Sequence, residues 1–278
     1  MKKNILAALI AGTFIVACSG GQSGKLIKAY DGPVQFANVV ADCGAGKIEL
    51  GQTDYYGTVS SSNFAILNTP ELCTFTATGN ADSVDTSNNK KMPNISYVIP
   101  RALLSVGDSI TLSPLTTLIA KQIDANTANN ITGKSVADIV TQVVTDLYPD
   151  LINDTGVNAL DMARDMEGTI TKLKVDYPDS VSSVIATNNV TSDVLVYSDT
   201  TTLTVTEIIE TSKAVAAEVI AVNSNYPIAT DSTKVKVATF DVEASVKAVA
   251  DDTALTTVST VENDMPEEPV PATGGSNF

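Results

Sequence analysis

The hydrophobic pattern of the chain begins with one short apolar run. Ile5 to Val16 follow Lys2 and Lys3 at the start of the chain. A run of about a dozen residues is too short for a hydrocarbon core about 30 Å thick, which needs roughly 20 apolar residues. A positive start, a short apolar centre and a small residue, here Ala17, are typical of a removable export signal. We therefore expect residues 1–17 to be a signal peptide.

A cysteine follows this segment directly. Ile15-Val16-Ala17-Cys18 resembles the lipobox of bacterial lipoproteins, although Ile15 stands where leucine is commonest. The resemblance implies cleavage before Cys18, lipid attachment to the Cys18 thiol and acylation of the new amine, so that the protein is anchored to a membrane. The alternative is an ordinary secretory signal with a coincidental cysteine. The residue after Cys18 is Ser19 and not an aspartate. This is compatible with delivery to the outer membrane, on its periplasmic or its surface-exposed face.

Residues 18–24 are expected to form a lipidated tether. The segment Ser19–Gly24 is rich in glycine and serine. Such a linker is flexible and reaches only about 15 Å. The domain that follows is therefore expected to sit close to the membrane.

The pattern from residue 25 to residue 104 predicts strands. Residues Leu72 to Thr78 alternate, with Cys73, Phe75 and Ala77 on one face, which is typical of a half-buried strand. Further short apolar segments, separated by turn signals, are predicted as strands: Lys25–Tyr30, Val34–Asp42 and Ile95–Ile99. Asp42–Gly51 is predicted as a hairpin or loop, and Asp82–Lys91 as a surface loop. We expect a small antiparallel β-sandwich over residues 25–104.

Three short motifs of this region resemble the start of prealbumin-like β-sandwich repeats, which include carboxypeptidase-regulatory-like domains. They are Asp31-Gly32-Pro33-Val34, then Ala37-Asn38-Val39, then Thr53-Asp54 with Gly57. The resemblance implies a stalk, spacer or adhesive module rather than a catalyst. Some relatives bind calcium in an acidic turn, but Asp42–Lys47 lacks the alternating acidic ligands that such a loop needs.

Helical periodicity predominates over residues 105–261. Ser113 before Pro114 predicts a capped helix start, after which Leu115, Leu118, Ile119 and Ile123 fall on one face. Further helices are predicted over Ser135–Leu147, Val157–Leu173, Thr206–Val222 and Val235–Val249. Ser180–Thr204 is compatible with an extended segment or a short helix. The expected fold is thus α+β in two domains, a small antiparallel β-sandwich and then an α-helical bundle, with residues 262–278 as a disordered tail.

Composition narrows the possible functions. The chain has 17 basic and 32 acidic residues; without Lys2 and Lys3 the mature chain carries a net charge of 15 − 32 = −17. Such a surface repels phosphate backbones, so we expect no nucleic-acid partner. The chain has no histidine, which excludes imidazole-based triads and histidine-ligated metal sites. We therefore expect no cofactor, no metal site and no enzyme activity.

Two cysteines remain after Cys18. Cys43 and Cys73 form an even pair in a chain bound for an oxidising compartment. We expect a disulfide between them, with two buried free thiols as the alternative.

Several groups of polar residues are candidates for reactive or binding sites. Gly133-Lys134-Ser135 lacks the first glycine and the preceding strand of a phosphate loop, so it is interpreted as a turn with Ser135 capping a helix. Asp161, Asp165 and Glu167 lie close in one predicted helix, with Asp161 and Asp165 one turn apart, and carboxylate pairs of this kind serve glycoside hydrolysis. Ser113 has no base to activate it. The remaining acids that could bind a hard cation are left unassigned: Asp193, Asp199, Asp251 and Asp252.

Two functions are compatible with these features. The preferred interpretation is a membrane-anchored envelope or surface lipoprotein that acts as a structural, adhesive or protein-binding module without catalysis. Its partners would be the membrane, through the acyl chains, and another envelope protein or a surface polymer. The alternative is a solute-binding or hydrolytic accessory lipoprotein that uses carboxylates of the helical domain.

Overall fold

The computed structural model describes residues 24–231, 233–255 and 257–269. Within these residues the fold is mixed α+β, as the sequence predicts at that level. The predicted signal peptide, the tether up to residue 23 and the lipid attachment site Cys18 lie outside the described residues. Residues 270–278 of the predicted tail also lie outside them.

Ten strands, β1 to β10, lie in the described chain before residue 113. In one sheet β1 (Lys25–Ala29) lies between β5 (Thr58–Ser61), which is antiparallel to it, and β10 (Ile110–Leu112), which is parallel. A second, antiparallel sheet has the order β4 (Lys47–Gln52), β3 (Asn38–Asp42), β6 (Thr74–Thr78) and β9 (Ser96–Ile99). A small third sheet has the order β2 (Val34–Gln35), β7 (Val84–Asp85) and β8 (Lys90–Lys91). Helix α1 (Phe64–Asn68) and a 3-10 turn (Pro70–Leu72) connect β5 to β6.

The alternation predicted around Phe75 is confirmed by the register. Phe75 of β6 lies opposite Ala41 of β3, and Ala77 lies opposite Val39; all four side chains are buried. The predicted strand Val34–Asp42 is wrong as one element. Phe36 has a φ of +63°, a left-handed conformation that ends a strand, and the chain therefore passes from β2 in one sheet to β3 in another.

Helices form most of the chain after residue 113. Their bounds are α2 (Pro114–Ala128), α3 (Val136–Leu147), α4 (Pro149–Thr155), α5 (Ala159–Arg164), α6 (Met166–Asp176), α7 (Pro178–Ser198), α8 (Val205–Val222) and α9 (Val242–Ala250). The predicted cap at Ser113 is confirmed. Its hydroxyl accepts a bond of 3.2 Å from the Thr116 amide, and the Ser113 amide donates to the Thr116 hydroxyl at 2.9 Å. Leu115, Leu118 and Ile119 are buried as predicted.

Several predicted elements differ in the structure. The segment Ser180–Thr204, for which the sequence allows two conformations, belongs largely to the long helix α7. The predicted helix Val235–Val249 starts instead as β11 (Lys234–Thr239), which pairs with β12 (Ser259–Asp264). Residues 262–264, predicted to begin a disordered tail, lie in β12. The predicted surface loop Asp82–Lys91 contains β7 and β8, and Ser83, Asp85, Thr86 and Asn88 in it are buried.

One continuous hydrophobic core links the sheets to the helices. It extends from Ile27 and Phe75 of the sheets through Leu118 of α2 to Val194 of α7 and Val219 of α8. Helix α2 packs against β9, and α7 packs against α8. Within the described residues, no helix has both the length and the hydropathy that crossing a membrane requires.

Candidate functional site

The predicted cysteine pair is joined in the structure. Cys43 and Cys73 form a disulfide with an S–S distance of 2.02 Å. Cys43 follows β3 and Cys73 precedes β6, so the bond fastens the ends of two paired strands. Cys73 is completely buried.

The acidic residues predicted on one helix lie on two helices and the junction between them: Asp161 in α5, Asp165 at the junction and Glu167 in α6. The predicted helix Val157–Leu173 is interrupted at Asp165, where α5 ends and α6 begins. The Asp165 carboxylate caps α6 by accepting a bond of 2.9 Å from the Gly168 amide. Glu167 forms an ion pair with Lys28 of β1. Asp165 and Glu167 therefore stabilise a helix start and a contact between sheet and helix.

The other polar groups singled out from the sequence have local partners. Ser135 caps α3 together with Asp138, as predicted, and the Lys134 ammonium donates to Gln142 at 2.6 Å. Asp199 pairs with Lys121 at 3.1 Å. Asp251 and Asp252 follow the end of α9 and are exposed. The part of the chain that the structure describes holds no group of three or more Cys, Asp or Glu side chains arranged for a metal ion.

The structure brings together a set of polar side chains that the sequence did not connect. They lie where the sheets meet α7, and most of them are buried. We call the following residues the Asp31 cluster: Asp31, Asp85, Lys90, Tyr97, Asn188, Asn189, Ser192, Asp193 and Tyr226.

Asp31 lies at the centre of this cluster, in the turn after β1. It is 4% exposed. Its Oδ1 atom accepts a hydrogen bond of 2.8 Å from the Asn188 amide, and its Oδ2 atom accepts one of 3.3 Å from the Tyr97 hydroxyl. The Tyr97 hydroxyl also lies 2.7 Å from the Ser192 hydroxyl. In the orientation that satisfies its neighbours, the Asn189 amide donates to Asp31 Oδ1 at 3.0 Å and accepts from Tyr226.

Asp85 is the second buried acid, and it is held by its own loop. Its carboxylate accepts hydrogen bonds from the amide and hydroxyl of Ser87, at 2.8 and 2.7 Å, and from the Asn88 amide at 2.7 Å. Gly32 makes this approach possible. Its φ is +76°, and a Cβ atom there would lie 2.2 Å from Asp85 Oδ1, so only glycine fits this turn.

An ion pair completes the cluster on its outer side. The Lys90 ammonium of β8 lies 2.5 Å from Asp193 Oδ1 of α7. The Lys90 side chain is 22% exposed and the Asp193 side chain is 25% exposed. Burial by itself lowers the pKa of Lys90, but the adjacent Asp193 carboxylate outweighs it, and the pKa is raised overall. The lysine therefore stays charged.

The two buried acids are shifted toward their neutral forms. Burial, and then the neighbouring charge of Asp85, raises the pKa of Asp31 well above its usual range, although Lys90 opposes the shift. Burial also raises the pKa of Asp85, against the hydrogen bonds from Ser87. A neutral Asp31 carboxyl can donate as well as accept a hydrogen bond. Because Asp31 and Asp85 are closed off from solvent, their arrangement suits fixing α7 on the sheets better than reacting with a solute.

A cleft of about 570 Å³ adjoins the outer side of the cluster. Asp193 and other residues of α7 form part of its wall, and the rest comes from the end of β8, the turn before β9, the end of β11 and the start of α9. Its apolar lining includes Met92, Val196 and Phe240, and Tyr197 and Thr200 add polar groups. A cleft of this size and composition is suitable for a small ligand or a segment of a partner chain.

Sequence reasoning missed this cluster because its members lie in segments assigned to turns, loops and an undecided region. One signal was present. Asn188 and Ser192, and Asn189 and Asp193, are spaced four apart in a Ser/Thr/Asn-rich segment. Two such pairs on one helix face indicate a polar stripe, and a partner across the fold is then expected.

Comparison of the chain with protein-family profiles, with curated proteins and with solved structures gives no match.

Proposed function

We propose that this protein is an envelope lipoprotein, anchored by acyl chains on Cys18, whose folded part is a structural, adhesive or protein-binding module without catalysis. The observation that carries the proposal is the sequence Ile15-Val16-Ala17-Cys18 at the end of a short apolar run. Several acyl chains on one N-terminus give stable attachment, whereas a single chain binds only marginally. The proposed location is the outer membrane, on either face.

Two features of the folded part support export and a non-catalytic role. Cys43 and Cys73 are paired, and structural disulfides persist in oxidising compartments. The buried acids of the Asp31 cluster bond to groups of the protein itself. We also propose that the two larger sheets face each other as a prealbumin-like sandwich and that the helices form a second unit.

The proposed partners are the membrane and another envelope protein or a surface polymer, and not nucleic acid. The net charge of −15 favours partners that are neutral or positively charged. Crosslinking in the native envelope, followed by identification of the attached molecule, tests for a macromolecular partner.

Replacing Cys18 tests the anchor. The variant Cys18→Ala is expected to leave the membrane fraction and to incorporate no labelled fatty acid. Ser19→Ala is the matched control, because it changes the adjacent residue and keeps the thiol. Unchanged membrane fractionation of Cys18→Ala would refute the anchor.

A second candidate function is solute binding. The cleft of about 570 Å³ with Asp193 in its wall favours it, since a concave site with few polar groups is typical of ligand pockets. Mass spectrometry of protein extracted from its native envelope would reveal a bound solute. An Asp193→Asn variant that loses this solute would favour binding at the cleft.

A further inference from the structure

Three exposed apolar residues lie on or beside strand ends at one end of the sheet β10-β1-β5. Because β1 runs parallel to β10 and antiparallel to β5, the starts of β1 and β10 and the end of β5 share one end of the sheet. Leu26 at the start of β1 is 57% exposed, Val106 before β10 is 64% exposed, and Phe64 after β5 is 79% exposed. We call Leu26, Phe64 and Val106 the apolar sheet end.

The charge of this end differs from that of the whole chain. The segments that form it, residues 24–26, 61–64 and 105–108, contain one base, Lys25, and one acid, Asp108. The Asp108 carboxylate is paired with Arg164 at 3.1 Å. In a protein of net charge −15, these three segments therefore hold no unpaired acid, which would repel anionic lipid headgroups.

The same end receives the N-terminal segment. Gly24 lies beside the end of β5, since a Cβ atom built on it would be 3.2 Å from the Ser61 carbonyl oxygen. Gly24 is only six positions after Cys18 in the sequence. A fully extended chain of that length spans at most about 20 Å. Lipid on Cys18 thus restricts the apolar sheet end to the neighbourhood of the bilayer.

We propose that the apolar sheet end lies on the lipid bilayer, with Phe64 and Leu26 in the headgroup region. The proposal rests on the proposed acylation of Cys18 and adds an orientation to it. Transfer of exposed phenylalanine and leucine side chains from water to the membrane interface is favourable. The opposite end of β5 then points away from the bilayer. There Tyr55 donates a hydrogen bond of 3.4 Å to the Pro266 carbonyl oxygen.

A single tryptophan provides the test, because the chain contains none. Full-length protein carrying Phe64→Trp is purified from membranes and reconstituted in vesicles that contain brominated lipid. Met265→Trp is the matched control, since Met265 is 49% exposed and lies next to Pro266 at the opposite end of β5. The expected result is emission at shorter wavelength and strong quenching for the Phe64→Trp variant, and neither effect for the control.

The outcomes separate this proposal from the anchor itself. If mass spectrometry shows an acylated N-terminus and the tryptophan of Phe64→Trp emits as in water, the orientation is wrong and the anchor stands. Equal quenching of both variants also overturns the orientation. If the N-terminus carries no acyl chain, the anchor and the orientation both fail.

Discussion

The side-chain amide of Asn188 donates a hydrogen bond of 2.8 Å to the Asp31 carboxylate across 157 positions of sequence. The bond connects the turn after β1 to the middle of α7. Both side chains are buried, and in such surroundings a polar group without a partner costs far more than the bond contributes. The position of α7 on the sheets is thus specified by polar partners as well as by apolar packing.

Removing the Asp31 carboxyl group is expected to destabilise the fold. Asp31→Ala leaves the buried amide donor of Asn188 without its acceptor, and an unpaired group of this kind costs about 1–3 kcal/mol. It also removes one of the two partners of the Tyr97 hydroxyl, which keeps Ser192. We expect a loss of about 2–4 kcal/mol in the free energy of unfolding, measured by urea denaturation. Asp31→Asn keeps the shape and one acceptor, so it should lose less than about half as much. Equal losses for both variants would show that the hydrogen bonds of Asp31 do not matter.

The pH dependence of stability provides an independent test of Asp31. Its pKa is raised well above the ordinary value of 3.8, so the folded state keeps a proton that the unfolded state releases. The contribution of Asp31 is therefore fully present below pH 3.8 and declines as the pH rises toward the folded-state pKa. Urea titrations from about pH 4 upward should show a steeper loss in the wild type than in Asp31→Asn. Parallel curves would contradict the raised pKa.

The ion pair of the Asp31 cluster should contribute more than an exposed pair. Lys90→Met removes the partner of Asp193, and because that pair is largely buried we expect a loss of about 1–3 kcal/mol. Lys121→Met is the matched control. It breaks the more exposed pair with Asp199, which has a distance of 3.1 Å, and surface pairs contribute about 0–1 kcal/mol. Urea denaturation of both variants measures the difference, and a larger loss for Lys121→Met would reverse the expected order.

Gly32 should tolerate no side chain. In Gly32→Ala the new methyl group would collide with the Asp85 carboxylate and would also require a φ of +76°. Gly44→Ala is the control, because Gly44 has a φ of +88° but no atom within 4 Å of the new Cβ. Backbone strain alone costs about 1–2 kcal/mol, so Gly32→Ala should lose at least about 1 kcal/mol more in a thermal or urea melt. Similar losses would mean that the Asp85 loop moves freely.

The disulfide should stabilise the hairpin region. Its two cysteines are 30 positions apart, and a disulfide that closes a loop of that size stabilises the fold by about 3.5 kcal/mol, because it restricts the unfolded chain. We expect the double variant Cys43→Ala/Cys73→Ala to have a free energy of unfolding lower by about that amount, measured by urea denaturation. In the unreduced wild type neither thiol should react with an alkylating reagent; modification of both would contradict the bond.

Local patterns in the sequence predicted the elements that depend on local physics. The alternation around Phe75 and the Ser113-Pro114 cap are determined by a few neighbouring residues. The sequence predicts helix where the structure has the strand β11, because the apolar residues of β11 continue into those of α9. Its alternation of Val235 and Val237 with lysines nevertheless has the period of a strand. The interruption at Asp165 arises because its side chain competes for a helix amide.

The Asp31 cluster was not predictable in the same way. Asp31 in an Asp-Gly-Pro turn and Asp85 in a polar segment have the composition of exposed loops. Their burial depends on α7, which follows them only much later in the chain. Only the four-residue spacing of Asn188 and Ser192, and of Asn189 and Asp193, carries a sign of this contact, and it does not identify the partner.

The position of β1 has a mechanical consequence. The N-terminal segment enters the fold through this strand, which lies between β10 and β5. The hydrogen bonds between paired strands run across the strand direction. A force that pulls along the N-terminal segment therefore shears the hydrogen bonds to both neighbouring strands together, instead of breaking them one at a time. A pulling force on the N-terminal segment is therefore resisted by a central strand of a sheet and not by an edge strand.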